Sequence, residues 1–253
     1  MKKFLTTIDD LLRGRMTRKE DLAAGKIEVP IGTLILAGLC LGAIYGLCMG
    51  LFAVRRELNP SYMQMMATAI KVPLLFILTL VVTYPSLYVV SAIFDSRLRQ
   101  GATLRLLLIA MAANLAMLAS LGPVTGFFTW STESYPFMVV LNVFFLGVSG
   151  LVGLGFLRKA LNAIFEVNAD EDARKEVQPV DPMEQRLRPR PRKPASLRVF
   201  TFWILIYGCV GAQMGWVLRP FIGAPNLEFT LFRSDRDSNF FEAFFHALGK
   251  LFV

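Results

Sequence analysis

The chain is poor in the side chains that build metal and redox sites. It has one histidine, His246, and three cysteines, Cys40, Cys48 and Cys209, among 253 residues. A single histidine excludes any metal site that needs two imidazole ligands. The cysteines lie inside apolar runs without CxxC spacing, which indicates neither a zinc site nor a disulfide framework. We therefore expect no metal and no bound cofactor.

Charge is also scarce. Charged residues make up 18% of the chain, against roughly 25% in soluble domains, and they are confined to a few segments. The net charge of +8 does not indicate a nucleic-acid partner, because the basic residues flank apolar runs and do not share one folded surface. Basic residues in such positions favour contact with membrane lipids.

Long apolar runs are what the chain has instead, and its mean hydropathy is +0.52. A membrane-crossing helix needs about 20 mainly apolar residues, because each rises about 1.5 Å through a core of about 30 Å. Five charge-free runs fit, which predicts an all-α, polytopic transmembrane bundle of about five spans. These runs are residues 31–54, 72–94, 106–128, 136–157 and 199–218.

The distribution of Lys and Arg predicts the orientation. With the N-terminus in the cytoplasm, the cytoplasmic segments carry 20 of these residues and the outer segments carry six. The positive-inside rule then predicts a multi-pass membrane protein with its C-terminus outside. The pair Arg55 and Arg56 falls on the outer side, so the first run could instead be a hairpin or lie partly in the interface.

This topology divides the chain into five parts. Both ends have amphipathic character, with apolar faces at residues 4–12 and 240–248 that suit helices lying along a membrane surface. The N-terminal helix could serve as an anchor or simply lead into the first span. The parts are a cytoplasmic amphipathic segment (1–30), a four-span domain (31–157), a cytoplasmic basic linker (158–198), a fifth transmembrane helix (199–218) and an outer loop with an amphipathic helix (219–253).

The end of the linker is a basic, proline-rich strip. Prolines at 189, 191 and 194 favour an extended chain. Its basic residues suit anionic lipid headgroups, although they could merely set the topology or present a motif to a protein partner. The candidate headgroup ligands are Arg186, Arg188, Arg190, Arg192, Lys193 and Arg198.

Glycines recur every fourth residue in the first span, at Gly38, Gly42, Gly46 and Gly50. Stacked on one helical face, they leave a groove that another helix can approach closely. The pattern indicates either a seam between copies of the chain or tight packing within one chain. Gly211 and Gly215 predict a similar face on the fifth span.

Polar residues inside the apolar runs are few and uncharged. The candidates are Asn114, Asn142 and Gln213, and Pro85 is expected to kink the second span. No acid, base or histidine lies inside the predicted spans, which excludes the catalytic groups of an intramembrane protease and argues against ion-coupled transport.

Part of the chain resembles a known family. LYVVSAIF at residues 87–94, a turn containing Gly101, and TLRLLLIAMAANLAMLA at residues 103–119 resemble bacterial Yip-domain proteins. The resemblance implies five spans with a cytoplasmic N-terminus. The long basic linker and the extended C-terminal tail depart from the family pattern, and no residue here matches its eukaryotic role in trafficking. Residues 211–233 also resemble uncharacterised bacterial membrane proteins.

The sequence favours a non-enzymatic organising or accessory subunit that packs with itself or with other membrane proteins. The alternative is a component of a small-molecule or lipid permease, and an integral-membrane enzyme is a third possibility. A cavity between the helices favours transport, whereas a filled bundle favours a scaffold.

The predicted orientation can be tested with cysteines introduced at Val180 and Asp235 after the three native cysteines are replaced. An impermeant thiol reagent added to intact cells should label position 235, because it lies outside, and should not label position 180. Labelling of position 180 alone would reverse the orientation.

Overall fold

The computed structural model describes residues 30–55, 60–93, 100–177, 197–218, 229, 231 and 240–250. The amphipathic pattern at residues 4–12 and most of the basic linker therefore lie outside the described residues. The described part contains helices and no strand. The helices are α1 (Ile31–Arg55), α2 (Tyr62–Ile93), α3 (Gln100–Ser131), α4 (Tyr135–Val177), α5 (Leu197–Leu218) and α6 (Phe240–Gly249).

Four stretches of helix are long and apolar enough to cross a membrane: Ile31–Arg55, Tyr62–Ser86, Leu104–Ser131 and Tyr135–Arg158. They confirm the all-helical class and the membrane character expected from the sequence. The apolar stretch of α5, Trp203–Leu218, is shorter than these four.

The start of the second helix differs from the prediction. α2 begins at Tyr62 and not at residue 72, so Lys71 lies inside a helix and is only 6% exposed. The predicted second span begins only after this charge. The charge is accommodated because the Lys71 Nζ donates a hydrogen bond to the backbone carbonyl of Leu231. The predicted start of the second span, at residue 72, is therefore too late, and Lys71 lies inside α2 and not at its end.

Helix α4 is also longer than expected. It continues from the apolar run through to Val177, so residues 158–177 of the predicted linker are helical. The apolar run marks only the part of this helix suited to lipid, because polar residues such as those after residue 165 can extend a helix into water.

Glycine contacts establish how the helices run relative to one another. α1 and α2 are antiparallel, with Gly42 against Pro73 and Gly46 against Ala69. α3 runs parallel to α1 and α5 antiparallel to α2. α4 is antiparallel to α3, because Gly153 lies against Asn114 and the ring of Phe137 lies against that of Phe128. The passages from α1 to α2 and from α3 to α4 therefore lie at one end of the bundle, which we call the hairpin end.

The glycine face of α1 is occupied within the chain. A Cβ placed on Gly46 would lie 2.6 Å from the carbonyl oxygen of Thr68, and one on Gly50 would lie 2.7 Å from the Cα of Met65. Gly38 instead lies against Met111 of α3, where a Cβ would meet the side-chain Cε at 3.1 Å. Of the two interpretations of the glycine pattern, these contacts correspond to packing within one chain.

The described helices bury a single apolar core and expose large apolar side chains outward. Leu34, Met49, Leu115 and Met138 are fully enclosed, whereas Leu151 is 72% exposed. Helices that are apolar on both sides are typical of membrane spans, where the outward side chains meet lipid.

Gly46→Leu should destabilise the bundle, because the new side chain meets backbone atoms of α2 that cannot move independently. We expect a loss of at least about 1–3 kcal/mol in the free energy of unfolding, measured by thermal or denaturant unfolding in detergent. Gly32→Leu is the matched control on the same helix, since no atom lies within 4 Å of a Cβ at Gly32. Equal losses in the two variants would contradict the close approach of α1 and α2.

Candidate functional site: a cavity among helices α2 to α5

A cavity of about 350 Å³ lies among α2, α3, α4 and α5. Most of its wall is apolar, with Phe76 from α2, Met111 from α3 and Leu154 from α4 among the lining side chains. The lining residues on α2 and α3 lie away from the hairpin end, between Leu75 and Leu80 and between Leu107 and Asn114. The cavity therefore occupies the part of the bundle farther from the hairpin end.

Glycines without close neighbours keep this space open. Gly147 and Gly150 of α4 and Gly208 of α5 line the cavity, and no atom lies within 4 Å of a Cβ built on any of them. These glycines differ from those of α1, where a Cβ would clash. Three positions in the wall therefore carry no side chain and have room for one.

The predicted packing glycines of α5 line the same cavity. A Cβ on Gly211 would lie 3.5 Å from the Thr79 methyl group, and one on Gly215 would lie 3.4 Å from a methyl group of Leu75. These are ordinary van der Waals distances. The two glycines set the register of α5 on α2, but their contact with α2 is looser than that of the α1 glycines.

Three polar side chains line the cavity: Thr79, Asn114 and Tyr207. The Thr79 hydroxyl donates to the backbone carbonyl of Leu75 at 2.7 Å. The Asn114 Oδ1 is buried and has no hydrogen-bond partner among the described residues. No charged side chain is present in the described part of the wall.

The three predicted intramembrane polar residues have different environments. Asn142 is satisfied, because its Oδ1 accepts a hydrogen bond from the Tyr45 hydroxyl at 2.7 Å and its Nδ2 donates to the carbonyl of Met138 at 2.7 Å. Asn114 is buried beside the cavity, whereas Gln213 is exposed on α5. The structure does not bring the three together into one polar route.

The C-terminal helix covers one side of the cavity. Phe240, the first residue of α6, lines the cavity, and α6 packs against both α4 and α5. The ring of Phe240 stacks on that of Phe244 with 6.3 Å between centroids. Leu231, which precedes α6 in the chain, accepts a hydrogen bond from Lys71 of α2 through its carbonyl. Phe241 and Phe245 remain exposed, so the apolar face of α6 is only partly used by the bundle.

Several contacts at this site carry no local signal in the sequence. Trp203 is 1% exposed, and its indole N–H donates to the Ser86 hydroxyl at 3.0 Å, just beyond the predicted kink at Pro85. Ser86 in turn donates to the Thr83 carbonyl at 2.7 Å. These hydrogen bonds join α5 to α2 on the side of the cavity away from the hairpin end. The only sign of them in the sequence is the presence of a Trp and a Ser inside apolar runs.

The predicted lipid-headgroup strip cannot be placed in the structure. Arg186, Arg188, Arg190, Arg192 and Lys193 lie outside the described residues, and for Arg198 only the helical backbone is described. Within the described part, no group of three or more His, Cys, Asp or Glu residues is placed to hold a metal ion.

No protein-family model, curated protein or solved structure matches the chain. The resemblance to Yip-domain proteins stays a prediction.

The hydrogen bond between Tyr45 and Asn142 can be tested by Tyr45→Phe. Loss of the hydroxyl leaves the buried Asn142 Oδ1 without its donor, so we expect a loss of about 0.6–1.7 kcal/mol in unfolding free energy in detergent. Tyr62→Phe is the control, because Tyr62 is 67% exposed. A double-mutant cycle with Asn142→Leu should show coupling, and additive losses would contradict the bond.

Proposed function

We propose that this chain is a non-enzymatic integral membrane protein that binds an apolar, lipid-like molecule in the cavity, as a component of a permease. The observation that carries the proposal is the void of about 350 Å³ that Gly147, Gly150 and Gly208 leave open. Ligand pockets typically measure about 300–1,000 Å³ and are lined mainly by apolar side chains. An engineered apolar cavity of about 150 Å³ already binds benzene.

An empty void of this size is unfavourable in a membrane bundle. Lipid supplies little hydrophobic force between helices, so the bundle depends on close packing, and a void forfeits those contacts. The cavity is open to the surroundings of the bundle, because its lining includes Gly147, Leu151 and Gly208, which are exposed. A bound apolar molecule restores the lost contacts, and the surrounding membrane supplies such molecules.

The role as an organising subunit required the glycine face of α1 to be free for contact with a helix of another chain. Gly42, Gly46 and Gly50 contact α2 of the same chain, and Gly38 contacts α3. The face therefore gives no support for self-association, and we favour the binding role. We keep contacts with other membrane proteins in the proposal only because a component of a permease acts together with other membrane proteins.

The chemistry of the cavity supports a non-enzymatic role. Its described wall has no carboxylate, histidine, lysine or cysteine to serve as a general base or nucleophile. The hydroxyl groups of Thr79 and Tyr207 need an adjacent base for activation, and none lines the cavity with them. Binding without bond making is the simplest use of such a site.

We further propose that α5 is the fifth span, in a bacterial inner membrane, with the N-terminus in the cytoplasm and the C-terminus outside. The 20-to-six distribution of Lys and Arg supports this orientation. The cavity then lies on the cytoplasmic side of the bond between Tyr45 and Asn142. The basic strip before α5 would contact anionic lipids of the inner leaflet, and α6 would be an interfacial helix.

The proposal can be tested by filling the cavity with a side chain introduced at Gly150. The protein in lipid nanodiscs is photolabelled with a diazirine-bearing dodecane, and labelled peptides are located by mass spectrometry. We expect the wild type to be labelled at α4 and α5 residues of the cavity. Gly150→Leu should reduce this labelling several-fold, because the new side chain occupies the void.

Gly155→Leu is the matched control on the same helix. Gly155 is exposed, has no atom within 4 Å of a Cβ and does not line the cavity, so labelling should match the wild type. Cavity labelling that survives Gly150→Leu would overturn the proposed site.

A further inference from the structure

The lining of the cavity also specifies what kind of lipid it takes. Resting on the function proposed above, we infer that the ligand is an uncharged, single-chain lipid carrying a hydroxyl group, and that this hydroxyl pairs with the side-chain amide of Asn114.

Asn114 is the exception among the uncharged buried polar side chains of the described helices. It is 7% exposed, and its Oδ1 has no hydrogen-bond partner in the described part of the chain. Buried hydroxyl groups elsewhere donate to the preceding turn of their own helix, as Thr68, Thr83 and Thr129 do at 2.7–3.0 Å. No bulk water reaches the membrane interior to supply the missing bond, and an unsatisfied buried amide is unfavourable.

The position of Asn114 is fixed by α4. Gly153 faces it so closely that a Cβ there would lie 2.9 Å from the Asn114 Cβ. The amide therefore has its stem held between α3 and α4 while its residue forms part of the cavity wall. The Oδ1 itself has almost no accessible surface, and rotation about the terminal torsion, which is broad for Asn, would turn it toward the cavity.

The amide selects for a neutral partner that both donates and accepts. A hydroxyl group has one donor and two acceptor sites, so it can pair with either edge of the amide. A charged headgroup needs an opposite charge when it is buried, and no charged side chain is present in the described wall. A pure hydrocarbon would form no hydrogen bond with the amide.

The volume and the wall specify the rest of the ligand. A water molecule in the liquid occupies about 30 Å³, so the cavity accommodates about a dozen groups of that size. That capacity suits one alkyl chain. The apolar side chains from α2, α3 and α4 then surround the chain while Asn114 binds its polar end.

The test compares three competitors with equal numbers of non-hydrogen atoms: undecanol, decyl methyl ether and dodecane. Each competes with the diazirine-bearing dodecane for wild-type protein in nanodiscs, at matched concentrations in the membrane. Undecanol should compete about threefold to tenfold better than dodecane, the gain expected from one net hydrogen bond. Decyl methyl ether accepts but cannot donate, so it should compete less well than undecanol.

Asn114→Leu should abolish this preference and keep the labelling, because Leu has a similar volume and removes an unsatisfied polar group. Thr79→Val is the matched control, since the Thr79 hydroxyl lines the same cavity but already donates to Leu75. It should keep the preference for undecanol. A preference that survives Asn114→Leu and is lost in Thr79→Val would overturn the assignment to Asn114.

Different results would overturn the hydroxyl-bearing ligand and the binding function. Equal competition by all three compounds in the wild type, with labelling still blocked by Gly150→Leu, overturns the hydroxyl-bearing ligand and leaves the binding function standing. Absence of labelling in the cavity of the wild type overturns both.

Discussion

The close approach of α1 and α2 is the contact on which the other helices depend. Gly42, Gly46 and Gly50 remove side chains from one face of α1, so the backbone of α2 lies directly against it. Van der Waals contact between helices is the main force that assembles a membrane bundle, and it falls off steeply with distance. Three consecutive turns without side chains therefore create the tightest seam in the described structure, and the remaining helices are placed relative to it.

The placement of the cavity follows from this seam. α1 also packs on α3 through Gly38, and α3 in turn carries α4 through the contact of Asn114 with Gly153. α5 reaches the bundle from the other side, through the contacts of Gly211 and Gly215 with α2. Helices α4 and α5 thus arrive from opposite ends of the series α4–α3–α1–α2–α5. The space between them is closed by no strong seam, and the cavity and α6 lie there.

Much of the fold could be predicted because it depends on local composition. Runs of about 20 apolar residues identify a membrane helix wherever they occur, so four of the five predicted runs correspond to helices of spanning length. The start of α2 was missed because Lys71 was treated as a boundary. Its amine is satisfied by the carbonyl of Leu231, 160 positions along the chain, and no local pattern encodes such a partner.

The candidate site was harder to predict from the sequence, because residues of the same type have different environments in the bundle. Asn142 and Asn114 are both buried, but Tyr45 satisfies the first and nothing described satisfies the Oδ1 of the second. Gly46 and Gly150 both lie in apolar runs, but one admits a neighbouring backbone and the other faces open space. The difference in each pair is set by what another helix brings opposite. The regular GxxxG spacing pointed to the glycines of α1, whereas the cavity glycines have no such period.

The cavity and the unsatisfied amide lie at the same place in the bundle, and this proximity is the main support for the proposed binding function. A void and an unsatisfied amide each destabilise a bundle, and each could be removed by one substitution, a larger residue at Gly150 or an apolar one at Asn114. Folded proteins concentrate such violations where function requires them. Gly150 and Asn114 line one cavity, so the proposed ligand would fill the space with its chain and pair with the amide through its polar group. A bundle that only held other proteins together would gain nothing from the cavity or from the unsatisfied amide.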